Sequence, residues 1–320
     1  NPASQVARAS HRLQAGFRVA LTGTPIENRP SDLWSIFEFI NPGALGSLEE
    51  FEHQTEPEQI PRLAKKLRPF VLRRLKQAVA PELPARTQSV LGAELSEGER
   101  ELYQGVLAAT RAQIQQELEG HPEGLLPLGV LTALLRLRQA CCHPSLVPGS
   151  SVELHARSSK TELLVDRLQE VLAEGHRALV FSQWTSYLDL VGARLKEESV
   201  PFLRIDGSTQ DRGTIVERFQ DAKHESVLLL SLKAGGVGLN LTAADYVFIL
   251  DPWWNPAAED QASDRAHRIG QTNPVFVTRL VAKDTIEERV LELSNSKRAL
   301  ARQLLDDEAG TSAAPISRAE

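Results

Sequence analysis

Apolar positions along this chain keep two rhythms, and the change between them falls near Lys160. From there on, short apolar runs alternate with amphipathic stretches. The runs Ala178–Phe181, Phe202–Ile205, Val227–Leu232, Tyr246–Leu250 and Val275–Leu280 predict buried strands. Thr161–Ala173, Ser186–Glu197, a short piece around Ile215–Phe219, Ala257–Ala266 and a long segment from Asp284 carry helical spacing. Strands separated by helices predict βαβ units around a mostly parallel sheet. Before Lys160 the pattern is mainly helical. Glu99–Leu118 places Leu102, Val106, Leu107, Ile114 and Leu118 on one face, and Leu125–Leu137 is leucine-dense enough to be buried on most sides. At the start, Val19-Ala20-Leu21 predicts a buried strand that stops at the turn Thr22-Gly23-Thr24-Pro25. Ser31 then caps a helix carrying Leu33, Ile36, Phe37 and Ile40, ended by Asn41-Pro42-Gly43. One strand makes no sheet, so its partners are expected upstream.

The pattern divides the chain into residues 1–43, the tail of an α/β unit; 44–150, a helical insertion; 151–305, a complete α/β lobe; and 306–320, a tail expected to be disordered. The polar connector Gly149–Ser159 marks the main boundary. Apolar residues at 42% and charged residues at 24% suit folded domains and exclude wholesale disorder. No run reaches the roughly 18 apolar residues that a membrane-spanning helix needs, so no membrane partner is expected. Cys141 and Cys142 are adjacent, cannot staple a fold and offer no zinc spacing, which points to a reducing, cytoplasmic compartment (nucleoid-associated or nuclear, according to cell type). The net charge of −6 argues against a broadly cationic coating protein but leaves room for a local basic groove. The chain holds no methionine and opens on Asn1-Pro2 within continuous-looking sequence, so it reads as a piece of something longer.

Several segments carry chemistry. Ser231–Thr242 places Gly235, Gly236 and Gly238 directly after a strand, where backbone N–H groups can approach a phosphate, with Ser231 and Lys233 adding polar contacts. A tight turn without ligand fits the same residues. In Asp264–Gln271, Arg265 and Arg268 stand three apart; on a helix they project from one face, and paired guanidiniums suit a polyphosphate. A solvated helix end, with Asp260 and Asp264 pairing locally, is the alternative. Val247–Asp251 has the look of a metal-binding Walker-B strand, but Pro252 follows and no Gly-Lys dipeptide exists anywhere to make a P-loop, so that reading is rejected. Lys65–Lys76 holds six bases and no acid, either a phosphate-tracking patch or a solvated helix with Phe70 and Leu72 buried. Cys141-Cys142-His143 reads as core packing at a helix end. Trp253-Trp254 either stacks on a base or anchors a loop.

Taken together and in order, these segments resemble the SWI/SNF-like DNA-dependent ATPases of helicase superfamily two. Leu21–Asn28 resembles motif III, Pro69–Arg74 the segment leaving the first lobe, and Leu137–Pro144 the helical element before the second. Val180–Trp184 resembles motif IV, Asp206–Thr209 the following turn, Ser231–Thr242 motif V, and Asp251–Pro256 with Gln261–Gln271 the run into motif VI. The resemblance implies two RecA-like lobes with ATP and Mg²⁺ in the cleft between them and double-stranded DNA across the top. It makes Arg265 and Arg268 arginine fingers, with Gln261 ordering the cleft and Gly238 beside the nucleotide. Ser182, Ser231, Lys233, Gly235, Gly236 and Trp254 become nucleic-acid contacts, and Thr22, Gly23 and Thr24 couple the lobes. The implied activity is ATP-dependent translocation along DNA that remodels a bound protein.

Two departures qualify the resemblance. The phosphate-binding loop and the Asp-Glu metal site that normally precede motif III are not in the chain, so the Mg²⁺ ligands are expected on a missing N-terminal lobe and this chain alone is expected to be inactive. Gln210–Gly213 is shorter than the family's usual link. A non-catalytic nucleic-acid-binding module, or another nucleotide-binding α/β enzyme such as a sugar transferase, stand as alternatives.

Overall fold

The computed structural model describes residues 2–23, 25–26, 29–74, 76–120, 128–149, 157–221, 226–235, 238–305 and 317–318. Its strands, β1 (Arg86–Ala93), β2 (Ala178–Ser182), β3 (Phe202–Ile205), β4 (Val227–Ser231), β5 (Tyr246–Ile249), β6 (Val275–Ala282) and the short β7 (Ser317–Arg318), form one sheet in the order β3-β4-β2-β5-β6-β1-β7. Every pairing is parallel. The strands β2 and β4 are neighbours in the interior of the sheet and are buried at every residue, as parallel strands covered on both faces must be. The helices are α1 (Gln5–His11), α2 (Pro30–Ile40), α3 (Leu48–Gln54), α4 (Ile60–Leu67), α5 (Lys76–Val79), α6 (Glu97–Gly120), α7 (Leu128–Cys142), α8 (Ser159–Ala173), α9 (Thr185–Glu197), α10 (Arg212–Asp221), α11 (Leu232–Gly235), α12 (Pro256–Ser263) and α13 (Ile286–Leu305).

The chain gathers into two units. The first holds Asn1–Val79, Trp254–Ala257 and Glu292–Ala313. Its core joins Leu33 and Phe37 of α2 to Leu45, Phe51, Ile60, Leu63, Leu67 and Leu304. Helix α2 starts at Pro30, whose missing N–H is no loss in a first turn. Asp32 accepts the Arg29 backbone N–H at 3.1 Å, so Arg29 stands at the cap and Ser31 lies buried inside the helix rather than capping it. Val19-Ala20-Leu21 is not a strand. Val19 is 59% and Leu21 94% exposed, and no described strand pairs with them, so their ladder groups and side chains face outward. Phe70 and Leu72 are also exposed, against the buried side expected for the basic stretch.

The second unit holds Ala80–Trp253, Ala258–Leu291 and Ala314–Glu320, and carries the sheet. It starts well before the connector at 149–159, most of which lies outside the described residues. The reason is β1, a strand the helical reading of 44–150 passes over. Arg86 to Ala93 runs in register with Val275 to Ala282 and ties the chain back to β6. One face of the sheet packs Leu179, Phe181, Leu228, Leu230, Val247 and Ile249 against Phe219, Ala262 and Ala266. The other packs Val180, Leu229 and Phe248 against Leu164, Leu168, Leu188, Val191 and Leu195 of α8 and α9. Helix α7 buries Val130, Ala133, Leu137, Cys141 and Cys142 but exposes Leu131 and Leu135, so it is one-sided and not surrounded. Within the short Gln210–Gly213 link, Asp211 caps α10 by accepting the Thr214 N–H at 3.1 Å. Of the tail, Ser317 and Arg318 pair with β1, where disorder was expected, and 306–316 lie outside the described residues.

Candidate functional site

Because β2, β4 and β5 are parallel, the segments that leave them emerge at one edge of the sheet, where ligands of open α/β sheets bind. These are the stretches after Ser182, Ser231 and Ile249. Ser182 is fully buried, and its Oγ accepts the Trp184 N–H at 3.0 Å. Ser182, which the resemblance makes a nucleic-acid contact, thus turns its hydroxyl into the protein and supports the turn after β2. It also hydrogen-bonds Asp251, whose carboxylate accepts the Gln183 N–H. Burial pushes the Asp251 carboxyl up to about 7, against the pull of Ser182, Arg138 and Lys160.

Arg138 of α7 organises this edge. It donates to the Pro252 carbonyl at 2.7 Å and to Gln183 at 3.2 Å. Its guanidinium lies over Trp253 (5.2 Å) and Trp184 (5.9 Å). Below it, Lys160 and Glu287, both fully buried, pair at 2.5 Å. Lys160 also donates to Leu250 O at 3.1 Å, and Glu287 accepts the Ala282 N–H at 2.8 Å. Burial by itself would lower the lysine pKa, but the Glu287 charge holds it above its ordinary value. Cys141, Cys142 and His143 are core residues at the end of α7, as read from the sequence.

In motif V, Ser231 is buried and caps α11, its Oγ accepting the Ala234 N–H at 3.2 Å, while Lys233 is exposed. Gly235 ends α11, and Gly236 lies outside the described residues. Gly238 is exposed, and a Cβ built on it meets nothing within 4 Å. The fold does not need glycine there for packing.

The arginine pair is placed differently from the expectation. Helix α12 ends at Ser263, and Asp264–Gly270 is a string of turns, so Arg265 and Arg268 do not share a helix face. The cause is local. Ser263 Oγ donates to the Glu259 and Asp260 carbonyls at 3.1 and 3.0 Å, competing with the helix's own bonds. Gly270 then takes a φ of +102°, a turn conformation that side-chain-bearing residues rarely adopt. Arg265 is 8% exposed and Arg268 lies in solvent. They still sense each other: burial and then the Arg268 charge lower the Arg265 pKa. The turn is bound to motif V, since Leu241 N–H donates to Arg265 O at 3.0 Å and Arg268 donates to Gly238 O at 3.4 Å. Gln271, not assigned from the sequence, is a buried staple. Its amide N–H donates to Thr242, Ala244 and Ala266 carbonyls at 3.1, 2.8 and 3.1 Å.

Gln261 is exposed on α12. Trp254 and the coupling residues belong to the first unit: Trp254 is half-buried, its carbonyl accepting Lys297 Nζ at 3.1 Å, and Thr22 and Gly23 are exposed. Thr24 lies outside the described residues. Among the described residues no group of three or more His, Cys, Asp or Glu is gathered to hold a metal ion, and no helix is long and apolar enough to cross a membrane.

Comparison with known proteins bears on these segments directly. The model of the SNF2-related domain matches residues 1–146, and that of the helicase conserved C-terminal domain matches residues 159–270. The chain is 40% identical over 311 residues to an uncharacterized ATP-dependent helicase of Mycoplasma genitalium, covering 95% of the chain and 29% of the relative. It is 39% identical over 323 residues to the putative ATP-dependent helicase/translocase YwqA of Bacillus subtilis, covering 96% of the chain and 34% of the relative. The chain thus spans about a third or less of the curated relatives it matches. Among solved structures it is similar to the Sulfolobus solfataricus SWI2/SNF2 ATPase core in complex with dsDNA, with a TM-score of 0.57 and 31% identity, covering 94% of this chain and 65% of that one.

Proposed function

Because the chain belongs to the SNF2-related family of ATP-dependent helicases, carrying that family's SNF2-related and helicase C-terminal domains, we propose that it forms the second half of a double-stranded-DNA translocase motor. In this reading it supplies arginines and DNA-backbone contacts to ATP held by an N-terminal RecA-like lobe. The observation that carries it is the junction of motifs V and VI. Arg268 reaches Gly238, and the backbone of Arg265 holds Leu241, which supports reading the two segments as one unit that joins nucleotide to DNA.

Two guanidiniums close enough to lower the pKa of the more buried one form a natural seat for an anion, and a polyphosphate arriving there relieves their repulsion. ATP with Mg²⁺, when bound, would supply the phosphoryl group to be transferred. Arg265 and Arg268 then orient that group and stabilise the charge that develops on it. Exposed Lys233 meets a phosphate of the DNA strand, while Gly238, whose carbonyl accepts Arg268, lies beside the nucleotide. Asp251, Arg138 and the two indoles of Trp184 and Trp253 hold the turns that follow β2 and β5. The reading supports a soluble remodelling or translocating machine whose cargo is a DNA-bound protein.

The test is a comparison of two polypeptides. The protein carrying a P-loop lobe upstream of these residues is expected to hydrolyse ATP faster when duplex DNA is added. The chain by itself is expected to match a buffer control with or without DNA, since it holds no P-loop. DNA-stimulated hydrolysis by the purified chain alone overturns this division of labour.

A further inference from the structure

The turn that carries Arg265 and Arg268 has lost its helix, so something else must fix it. The residues that do so come from the other end of the chain. Arg86, the first residue of β1, sits opposite Val275, where the chain enters β6 after that turn. Its guanidinium forks: Nη1 meets Asp264 at 3.3 Å, and Nη2 meets Asp260 at 3.3 Å and donates to Ser263 Oγ at 2.6 Å. Two residues earlier, the Pro84 carbonyl accepts His267 Nε2 at 2.8 Å, which makes Nε2 the protonated nitrogen. All of these residues lie in the second unit.

Elementary electrostatics says why a clamp is needed. Asp260 and Asp264 are four apart at the C-terminal end of α12, where like charges repel and the helix dipole is already negative. Without a cation between them, the two carboxylates repel each other at the end of α12. Arg86, only 17% exposed along its side chain, takes up both carboxylates and the Ser263 hydroxyl at once. Asp264 still acts on Arg265, pulling its pKa up against burial and the Arg268 charge, so the clamp fixes the carboxylate that neighbours this arginine. We propose that Arg86, with the Pro84 carbonyl, is a positioning residue for the motif-VI arginines, setting the turn Asp264–Gly270 so that they face the nucleotide. The inference rests on the finger reading above, and adds that the geometry of the fingers is set by the segment entering β1. A lysine supplies the charge but not the fork that spans two carboxylates and a hydroxyl.

The experiment uses the two-lobed protein with Arg86→Gln, Arg86→Lys, Arg265→Ala and Arg268→Ala. Its readouts are kcat and KM for ATP with saturating duplex DNA, and amide hydrogen exchange segment by segment. For Arg86→Gln we expect kcat to fall by about 10²-fold, the cost of a displacement of about an ångström at a reacting group, with KM within a few-fold. Arg86→Lys should recover little of that loss. Exchange should quicken at 264–271 while β2 and β4 keep their protection. Unchanged kcat in Arg86→Gln overturns the proposal. So does a fall in kcat accompanied by loss of protection throughout the sheet, which marks a merely structural role. Should Arg86→Gln fail to fold, Asp264→Asn opens the same clamp from its other side and is expected to show the same split between kcat and KM. Normal ATPase in Arg265→Ala and Arg268→Ala, by contrast, removes the finger reading itself, whatever Arg86 does.

Discussion

Asp251→Asn isolates a single buried charge, and its effect can be worked out in advance. Asp251 is 1% exposed at the end of β5, and burial raises its carboxyl from 3.8 to about 7. An acid whose pKa is higher in the folded than in the unfolded state binds a proton more tightly when folded. Stability is therefore greatest below the unfolded value and declines as pH rises towards the folded one. The decline is about 1.4 kcal/mol per pH unit, about 4 kcal/mol in all, and is complete above about pH 7. Asparagine keeps an acceptor for the Gln183 N–H and Ser182 but carries no charge at any pH. Its unpaired N–H₂ adds a constant cost of roughly 1–3 kcal/mol that does not change with pH. Urea midpoints of both proteins from pH 5 to pH 8 give the comparison. The variant should gain on the wild type by nearly 3 kcal/mol over that range, or roughly 1 M urea for a unit of this size, most of it below pH 7. Parallel curves across the range would refute an Asp251 that ionises at the expense of the fold.

Other consequences follow from single positions. Lys233→Ala should weaken DNA binding by the two-lobed protein equally for all sequences and flatten the salt slope by about one unit, read from binding titrations at several salt concentrations. Phe181→Ala, fully buried in β2, should cost ~3–5 kcal/mol of unfolding free energy, whereas Leu21→Ala, 94% exposed, should stay within about 0.5 kcal/mol. Glu287→Gln strips Lys160 of its counter-charge in the core and should cost about 3–5 kcal/mol, measurable by urea denaturation at neutral pH.

Where burial is written as a continuous apolar run, the fold was legible before any coordinates. Ala178–Phe181 and Val227–Leu232 can be little else than central parallel strands, and they are β2 and β4. β1 escaped because Arg86-Thr-Gln-Ser mixes polar residues into a half-buried strand, and because its partner β6 lies 189 residues away along the chain. Val19-Ala20-Leu21 has the composition of a buried strand, but a strand also needs a neighbour, and residue type does not reveal one. The spacing of Arg265 and Arg268 predicts one helix face, but α12 ends at Ser263, before either of them. Ser263 was the available clue, since its hydroxyl competes for helix carbonyls. Ser182 is a nucleic-acid contact only through the family resemblance, and hydropathy says nothing of whether a strand-end hydroxyl turns inward to an aspartate. Nothing local announces Arg86 either, because its partners are 174 to 178 residues distant.

The central claim is that Arg265 and Arg268 act on the nucleotide, and DNA-stimulated ATPase of the two single alanine variants in the two-lobed protein tests it most directly. Fingers of this kind contribute about 10³–10⁵ to the rate, so either substitution should bring the stimulated rate close to the unstimulated background. DNA affinity in the absence of nucleotide and the urea midpoint should change little. Near-normal stimulated ATPase in both variants would contradict the account and return the two arginines to the status of charged residues on a surface turn.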